Sequence, residues 1–264
     1  MSDASSRLPA IFVSHGSPTL PLEQSPSVDF LRSLGGTLGK PQAILIVSAH
    51  WDTARPAVSS AEKPETIYDF YGFPRELYRL RYPAPGAPQL ARRVQDLLGA
   101  AGMETDIDPS RGLDHGAWTP LFHIYPGADI PVTQLSIQWE KGPAHHVRLG
   151  EALRPLRDEG VLIVASGGAT HNLRELSYQR GNPVPQPWTV EFNEWLADAV
   201  LARRTDDLVT YRGKAPFAVH NHPTDEHLIP LFVALGAGDA GGATQRLHSR
   251  IASGVISMDA YAFD

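Results

Sequence analysis

Three short apolar runs in this chain lead into histidines, and that pattern narrows the folds open to it. Ala10-Ile11-Phe12-Val13-Ser14 runs into His15, and Ala43-Ile44-Leu45-Ile46-Val47-Ser48-Ala49 runs into His50. Val161-Leu162-Ile163-Val164-Ala165-Ser166 continues through Gly167-Gly168-Ala169-Thr170 to His171. Brief runs rich in Ile and Val, without polar alternation, read as strands buried on both faces, the mark of a parallel sheet covered by helices. In an open α/β sheet the carboxyl ends of the strands line the ligand crevice. Three imidazoles delivered to one rim point to a metal site or an acid/base centre.

The rest of the chain keeps the alternation. Helical patterns cover 28–38, 87–101 (with Leu90, Val94, Leu97 and Leu98 on one face and Gly102 as the stop), 143–159 and 187–203. Strands are expected at 130–137, 161–166 and in the tail 255–263, with a short one at 217–219. Thr224 reads as an N-cap for a helix that runs to Leu235 and stops at Gly236. Alternating β and α units predict a mostly parallel central sheet flanked by helices, with any metal site at the strand C-terminal ends. No linker, low-complexity stretch or fixed-period repeat divides the 264 residues, so one domain over 1–264 is expected. The Pro- and aromatic-rich segment 53–86 is too long for a passive connection and reads as functional.

Composition limits the chemistry. A net charge of -6 gives no basic footprint for nucleic acid. No apolar run approaches the roughly 20 residues that span a bilayer. The polar N-terminal run up to Arg7 lacks the layout of a signal peptide, so a cytoplasmic protein is expected. With no cysteine, a metal must be held by nitrogen and oxygen, which leaves iron(II), zinc or manganese.

Five histidines fall at strand ends, glycine turns or a helix start: His15 in Ser-His-Gly-Ser-Pro, His50 in Ser-Ala-His-Trp, His115 in Leu-Asp-His-Gly, His171 in Thr-His-Asn, and His227 after Thr224-Asp225-Glu226. Asp114, or another carboxylate, would orient His115. Asp225 and Glu226 read as complements to a helix dipole, whereas a protonated His227 at a helix start would be unfavourable and a neutral, metal-bound one would not. His220 and His222 alternate as on a strand and could form a metal pair. His123, His145, His146 and His248 have no such context and read as structural or surface residues. Gly167-Gly168 lacks the lysine and spacing of a phosphate loop.

Taken in order, Ser-His-Gly-Ser-Pro (14–18), Ser-Ala-His-Trp (48–51), Tyr-Asp-Phe-Tyr-Gly-Phe-Pro (68–74), Asp-His-Gly (114–116), His-Asn-Leu-Arg (171–174) and Pro-Thr-Asp-Glu-His (223–227) resemble the class III extradiol ring-cleavage dioxygenases, in the DOPA 4,5-dioxygenase-like branch. The resemblance runs over nearly the whole chain. It implies a non-haem iron(II) held by His15, His50 and His227, with Glu226, directly before His227, as the alternative third ligand. It implies that His171 is an acid/base, or a fourth ligand, and that His115 lines the substrate pocket. It also implies a small-molecule catechol and dioxygen as reactants. The acid/base role would suit an accessible His171 with a near-neutral pKa. Tyr68, Phe70 and Tyr71 are candidate substrate-binding residues that would cover the ring. A three-histidine site also suits zinc, so a zinc-dependent hydrolase on the same fold, or a non-catalytic metal-binding relative, stands beside the dioxygenase reading.

Overall fold

The computed structural model describes residues 7–176 and 183–264; the polar run at 1–6 lies outside them. Its strands are β1 (Ala10–Ser14), β2 (Ala43–Asp52), β3 (Ala57–Ser59), β4 (Asp106–Asp108), β5 (Val132–Ile137), β6 (Val161–Gly167), β7 (Thr244–His248), β8 (Ile251–Ala252), β9 (Ile256–Ser257) and β10 (Ala260–Phe263). Eight of them form one sheet in the order β4-β3-β5-β2-β6-β1-β10-β7, and β8 pairs separately with β9. The central run β5-β2-β6-β1 is parallel throughout. The β3–β5, β1–β10 and β10–β7 pairings are antiparallel.

The helices are α1 (Pro26–Leu38), α2 (Pro88–Ala100), α3 (His115–Ile124), α4 (Gly142–Leu153), α5 (Pro187–Leu201), α6 (Thr205–Val209), α7 (Tyr211–Lys214), α8 (Ala218–Asn221) and α9 (Ile229–Ala237). One face of the sheet packs Phe12, Leu45, Val47 and Ile163 into a core shared with α2, α4, α5 and α9. The other face packs Ile11, Val13, Ile44, Ile46, Leu162 and Val164 against α1 and α3. Alternate residues of the same strand thus enter opposite cores, which is why the runs are continuously apolar. Among the described residues no helix is long and apolar enough to cross a membrane.

Several local expectations are corrected. Positions 217–219 are not a strand: Phe217 has φ 52° and precedes α8. The helix expected from Thr224 begins only at Ile229. Before it, Leu228 and Ile229 N–H both donate to Asp225 O, whose side chain is bound by Tyr211 and Arg212, and this holds the segment in a turn. Gly236 does not end α9 but lies inside it. A Cβ there would sit 2.0 Å from Val147 O, so glycine is required by the close approach of α4. The helix expected over 143–159 is α-helical only to Leu153; Pro155 lies in a following 3-10 turn, Arg154–Arg157, because it cannot donate the next helical hydrogen bond. The tail is two short strands, β9 and β10, rather than one. Helix α3 and strands β3, β4 and β7 carry no strong periodic signal of their own.

Candidate metal centre

The three central strands that carry the histidine runs lie side by side as β2-β6-β1. Ser14 pairs with Gly167 and Ser48 with Ser166, so the three carboxyl ends are level. His15 leaves the end of β1. His50 lies two residues past Ser48, where β2 shifts its register against β5 between Val47 and Asp52. His115 is the first residue of α3, and Asp114 caps that helix by accepting from Ala117 N–H at 3.1 Å.

His227 arrives from the turn before α9 and is laid over the end of β6. Gly168 N–H donates to His227 O at 2.8 Å, and a Cβ on Gly167 would come within 2.1 Å of that same oxygen. The Gly-Gly pair therefore admits the backbone of the His227 segment. His171 N–H donates to Asn221 O at 3.0 Å, and its ring stacks on that of His227 at a centroid distance of 3.3 Å. Gly116 is equally constrained, since a Cβ there would meet Ser48 Oγ at 2.4 Å and His50 Cδ2 at 2.8 Å.

The donor atoms of His15, His50 and His227 lie within 4.8 Å of one another. His15 Nε2 and His50 Nε2 are 3.0 Å apart. Two flanking groups share members with this one: His50, Asp69 and His115, and His171, Glu226 and His227. Glu226 thus stands beside His227, with Oε1 3.1 Å from its Nδ1, and outside the three-histidine group.

The hydrogen bonds behind the rings decide which nitrogens are free. Ser166 Oγ donates its one proton to Gly116 O at 2.5 Å, so it accepts from His15 Nδ1 at 3.0 Å. His15 must then present Nε2 as a lone pair. His227 Nδ1–H faces the Glu226 carboxylate, which leaves Nε2 as its lone-pair nitrogen. Burial and the neighbouring rings hold His15 and His227 well below the ordinary histidine range, and burial, then His115, pushes His50 down to about 3. All three are neutral at pH 7, as metal ligation requires. In this tautomer His15 Nε2 and His50 Nε2 share either a proton or a cation. Neutral nitrogen lone pairs backed by hydroxyl and carboxylate acceptors fit a divalent transition metal.

The flanking residues are built with equal care. Asp69 Oδ1 accepts from His115 N–H and Oδ2 from His115 Nδ1, each at 2.9 Å, and Oδ2 lies 3.6 Å from His50 Nδ1. Burial alone would raise the Asp69 pKa, but the His115 hydrogen bonds outweigh it and hold the group below the usual carboxylate range. The carboxylate that orients His115 is therefore Asp69, not Asp114. Asp114 is fully buried and accepts from Ser48 Oγ, Arg111 and Gln134; burial pushes its pKa up. His171 is half-buried, and the expectation of a near-neutral pKa is corrected, because burial pushes it down to about 4.

Of the aromatic candidates, Phe70 sets its edge against His115 at 5.7 Å. Tyr68 lies one layer back, donating to Leu80 O at 2.6 Å, and Tyr71 is 92% exposed. His220 and His222 are not a pair. His220 lies on the short helix α8 and His222 just past its end, and buried His222 donates Nε2–H to Ala169 O at 3.0 Å. His146 is structural, donating Nδ1–H to Gly142 O and accepting Gln138 N–H at Nε2. Sequence reasoning missed Asp69 and Ser166 and read Glu226 as a helix-dipole residue or an alternative third ligand. The one available signal for Asp69 was its place between Tyr68 and Phe70.

Neutral buried histidines make the metal-free fold acid-sensitive. The folded pKa values of His50 and His146 are about 3, and those of His171 and His222 about 4. The unfolded chain takes up these protons near pH 6.5, so stability is present above that value and falls as pH drops toward 4. Each group contributes about 1.4 kcal/mol per pH unit in that window, and together they give several. The urea midpoint of metal-free protein should fall steeply between pH 7 and pH 5; an unchanged midpoint would contradict the neutral, buried assignment.

Comparison with known proteins identifies the family. Residues 9–263 match the family described as the catalytic LigB subunit of aromatic ring-opening dioxygenase. The chain is 44% identical over 260 residues to the 4,5-DOPA dioxygenase extradiol of Beta vulgaris, covering 96% of this chain and 95% of that one. It is 44% identical over 239 residues to the protein of the same name from Escherichia coli (strain K12), covering 89% and 87%. A crystal structure of an uncharacterized protein from Escherichia coli K12 matches with a TM-score of 0.83 and 38% identity, over 98% of this chain and 100% of that one. A family match over nearly the whole chain, on a sheet whose strand ends gather these histidines, shows that the chain belongs to the aromatic ring-opening dioxygenases of the LigB family, in the extradiol, DOPA 4,5-dioxygenase-like branch.

Proposed function

We propose that residues 1–264 act as one catalytic domain that opens the ring of a catechol bearing a small para side chain, DOPA-like or hydroxycinnamate-like, next to its diol. The observation that carries this reading is the convergence of His15, His50 and His227 with a carboxylate-backed histidine group on either side. His15, His50 and His227 would hold iron(II). When bound, that ion supplies a place where the two catechol oxygens and dioxygen meet, together with the electron exchange that lets spin-paired and spin-unpaired reactants combine. Both oxygen atoms enter the product, a hydroxymuconic-semialdehyde type, so no external reductant is consumed.

The chain's own residues do the rest. His171 is neutral at pH 7 and can accept a catechol proton at a ring nitrogen, and the negative charge left on the substrate favours its retention there. His115 borders the same space, 3.9 Å from the His50 ring by centroids. Phe70 sits against His115, and with Tyr68 behind it forms the wall that would face the ring and exclude water; Tyr71 would act at the outer edge. Zinc suits the same nitrogen donors but has no redox chemistry, so a zinc-loaded protein should not consume dioxygen.

The test is anaerobic loading with iron(II), followed by oxygen uptake on a panel of para-substituted catechols. Equimolar consumption of oxygen and catechol with growth of a semialdehyde absorbance is expected. No uptake with any catechol, together with ester or amide turnover by the zinc form, would overturn the reading in favour of a hydrolase.

A further inference from the structure

Asp69 makes an unusual double contact with one residue. Its two oxygens accept from the main-chain N–H and from the ring Nδ1 of His115, both at 2.9 Å. His115 is the first residue of α3, so its N–H is one of the four that no helical carbonyl can satisfy. Asp114 satisfies the N–H of Ala117, and Asp69, from a loop 46 residues earlier in the chain, satisfies that of His115. The backbone bond fixes one carboxylate oxygen, and the planarity of the group then fixes the other against the ring. A neutral imidazole with Nδ1–H committed to a carboxylate carries its lone pair on Nε2. The His115 ring lies among the candidate ligands, at centroid distances of 3.9 Å from His50 and 5.4 Å from His15.

We infer that Asp69 is a positioning residue for the ring-opening reaction: it holds His115 in the Nδ1–H tautomer, so that Nε2 meets the bound catechol as a proton acceptor. The catalytic half of this inference rests on the dioxygenase reading; the tautomer does not. A purely architectural Asp69 would only cap α3 and anchor the aromatic loop through Tyr68 and Phe70. The two roles separate in Asp69→Asn. The amide oxygen can still accept the His115 N–H, so the cap survives. The amide NH₂ then faces Nδ1 as a donor, which forces the proton of His115 to Nε2.

The experiment uses zinc-loaded protein labelled with ¹⁵N-histidine, with His115 assigned by its loss in His115→Gln. Wild type should show a protonated Nδ1 and an unprotonated Nε2 at His115, and Asp69→Asn should show the reverse. In the iron-loaded enzyme Asp69→Asn should lower kcat on the order of 10- to 100-fold with little change in KM. A wild-type His115 protonated at Nε2 overturns the proposal, and needs neither a substrate nor the Asp69→Asn variant. A tautomer reversal without loss of kcat overturns it too, as does a loss of kcat with the tautomer unchanged. Since the nitrogen shifts require no turnover, failure of every catechol would count against the proposed function and not against the tautomer assignment.

Discussion

Protein carrying His15→Ala should retain no iron after gel filtration, and its oxygen uptake with any catechol should drop to background. His15 borders every other ring of the group: its centroid lies 5.0 Å from His50 and 5.4 Å from both His227 and His115. Its Nε2 is committed as a lone pair by the Ser166 hydroxyl behind it, so it is the nitrogen best prepared for a cation. Four-ligand structural zinc sites bind with about 10–16 kcal/mol, so one ligand carries roughly 3 kcal/mol, more than 100-fold in affinity. The ring is buried, so its removal also opens space that water enters and competes for the metal. Metal content by elemental analysis beside a thermal melt checks this. Full metal occupancy in a folded His15→Ala protein would remove His15 from the ligand set.

His171→Ala should behave in the opposite way. Its ring packs flat on His227, 11° from parallel, and its Nδ1 is 4.0 Å from Glu226 Oε1, beyond hydrogen-bond reach. Among the described residues no acceptor fixes its tautomer as Ser166 fixes that of His15, which suits a group that must take up and return a proton. Burial pushes its pKa down to about 4, so it is an unprotonated acceptor at pH 7. Loss of general acid/base assistance typically costs 10²–10⁴-fold, so we expect kcat to fall by about 100-fold or more with metal content unchanged. Loss of the metal in this variant would instead make His171 a fourth ligand. Equal kcat in variant and wild type would leave proton transfer to His115 alone.

The strand runs and the histidines that follow them were plain from the amino-acid order, because buried parallel strands must be continuously apolar and their ends must be polar. Phe12 and Val13 enter opposite cores, and both cores demand the same chemistry. His15 and His50 were legible for the same reason, as polar residues placed where apolar runs stop, whereas His227 stood out only by its place at an expected helix start and by the family resemblance. The start of α9, the place of Gly236 and the conformation of 217–219 were not legible. They depend on Asp225 bonding to Tyr211 and Arg212, and on α4 approaching α9, which are contacts between distant segments.

Glu226 and Asp69 show the same limit at the site. Glu226 had the composition of a helix-dipole residue, and only the turn before α9 aims it at His227. Asp69 lies in an aperiodic loop, 46 residues from the helix start it caps. Local order determined which side chains stand at the sheet's carboxyl edge, since periodicity and burial are properties of each segment. The tertiary structure alone decided which nitrogen of each ring is free, because a tautomer is set by the hydrogen-bond partner behind it, and those partners come from other strands and loops.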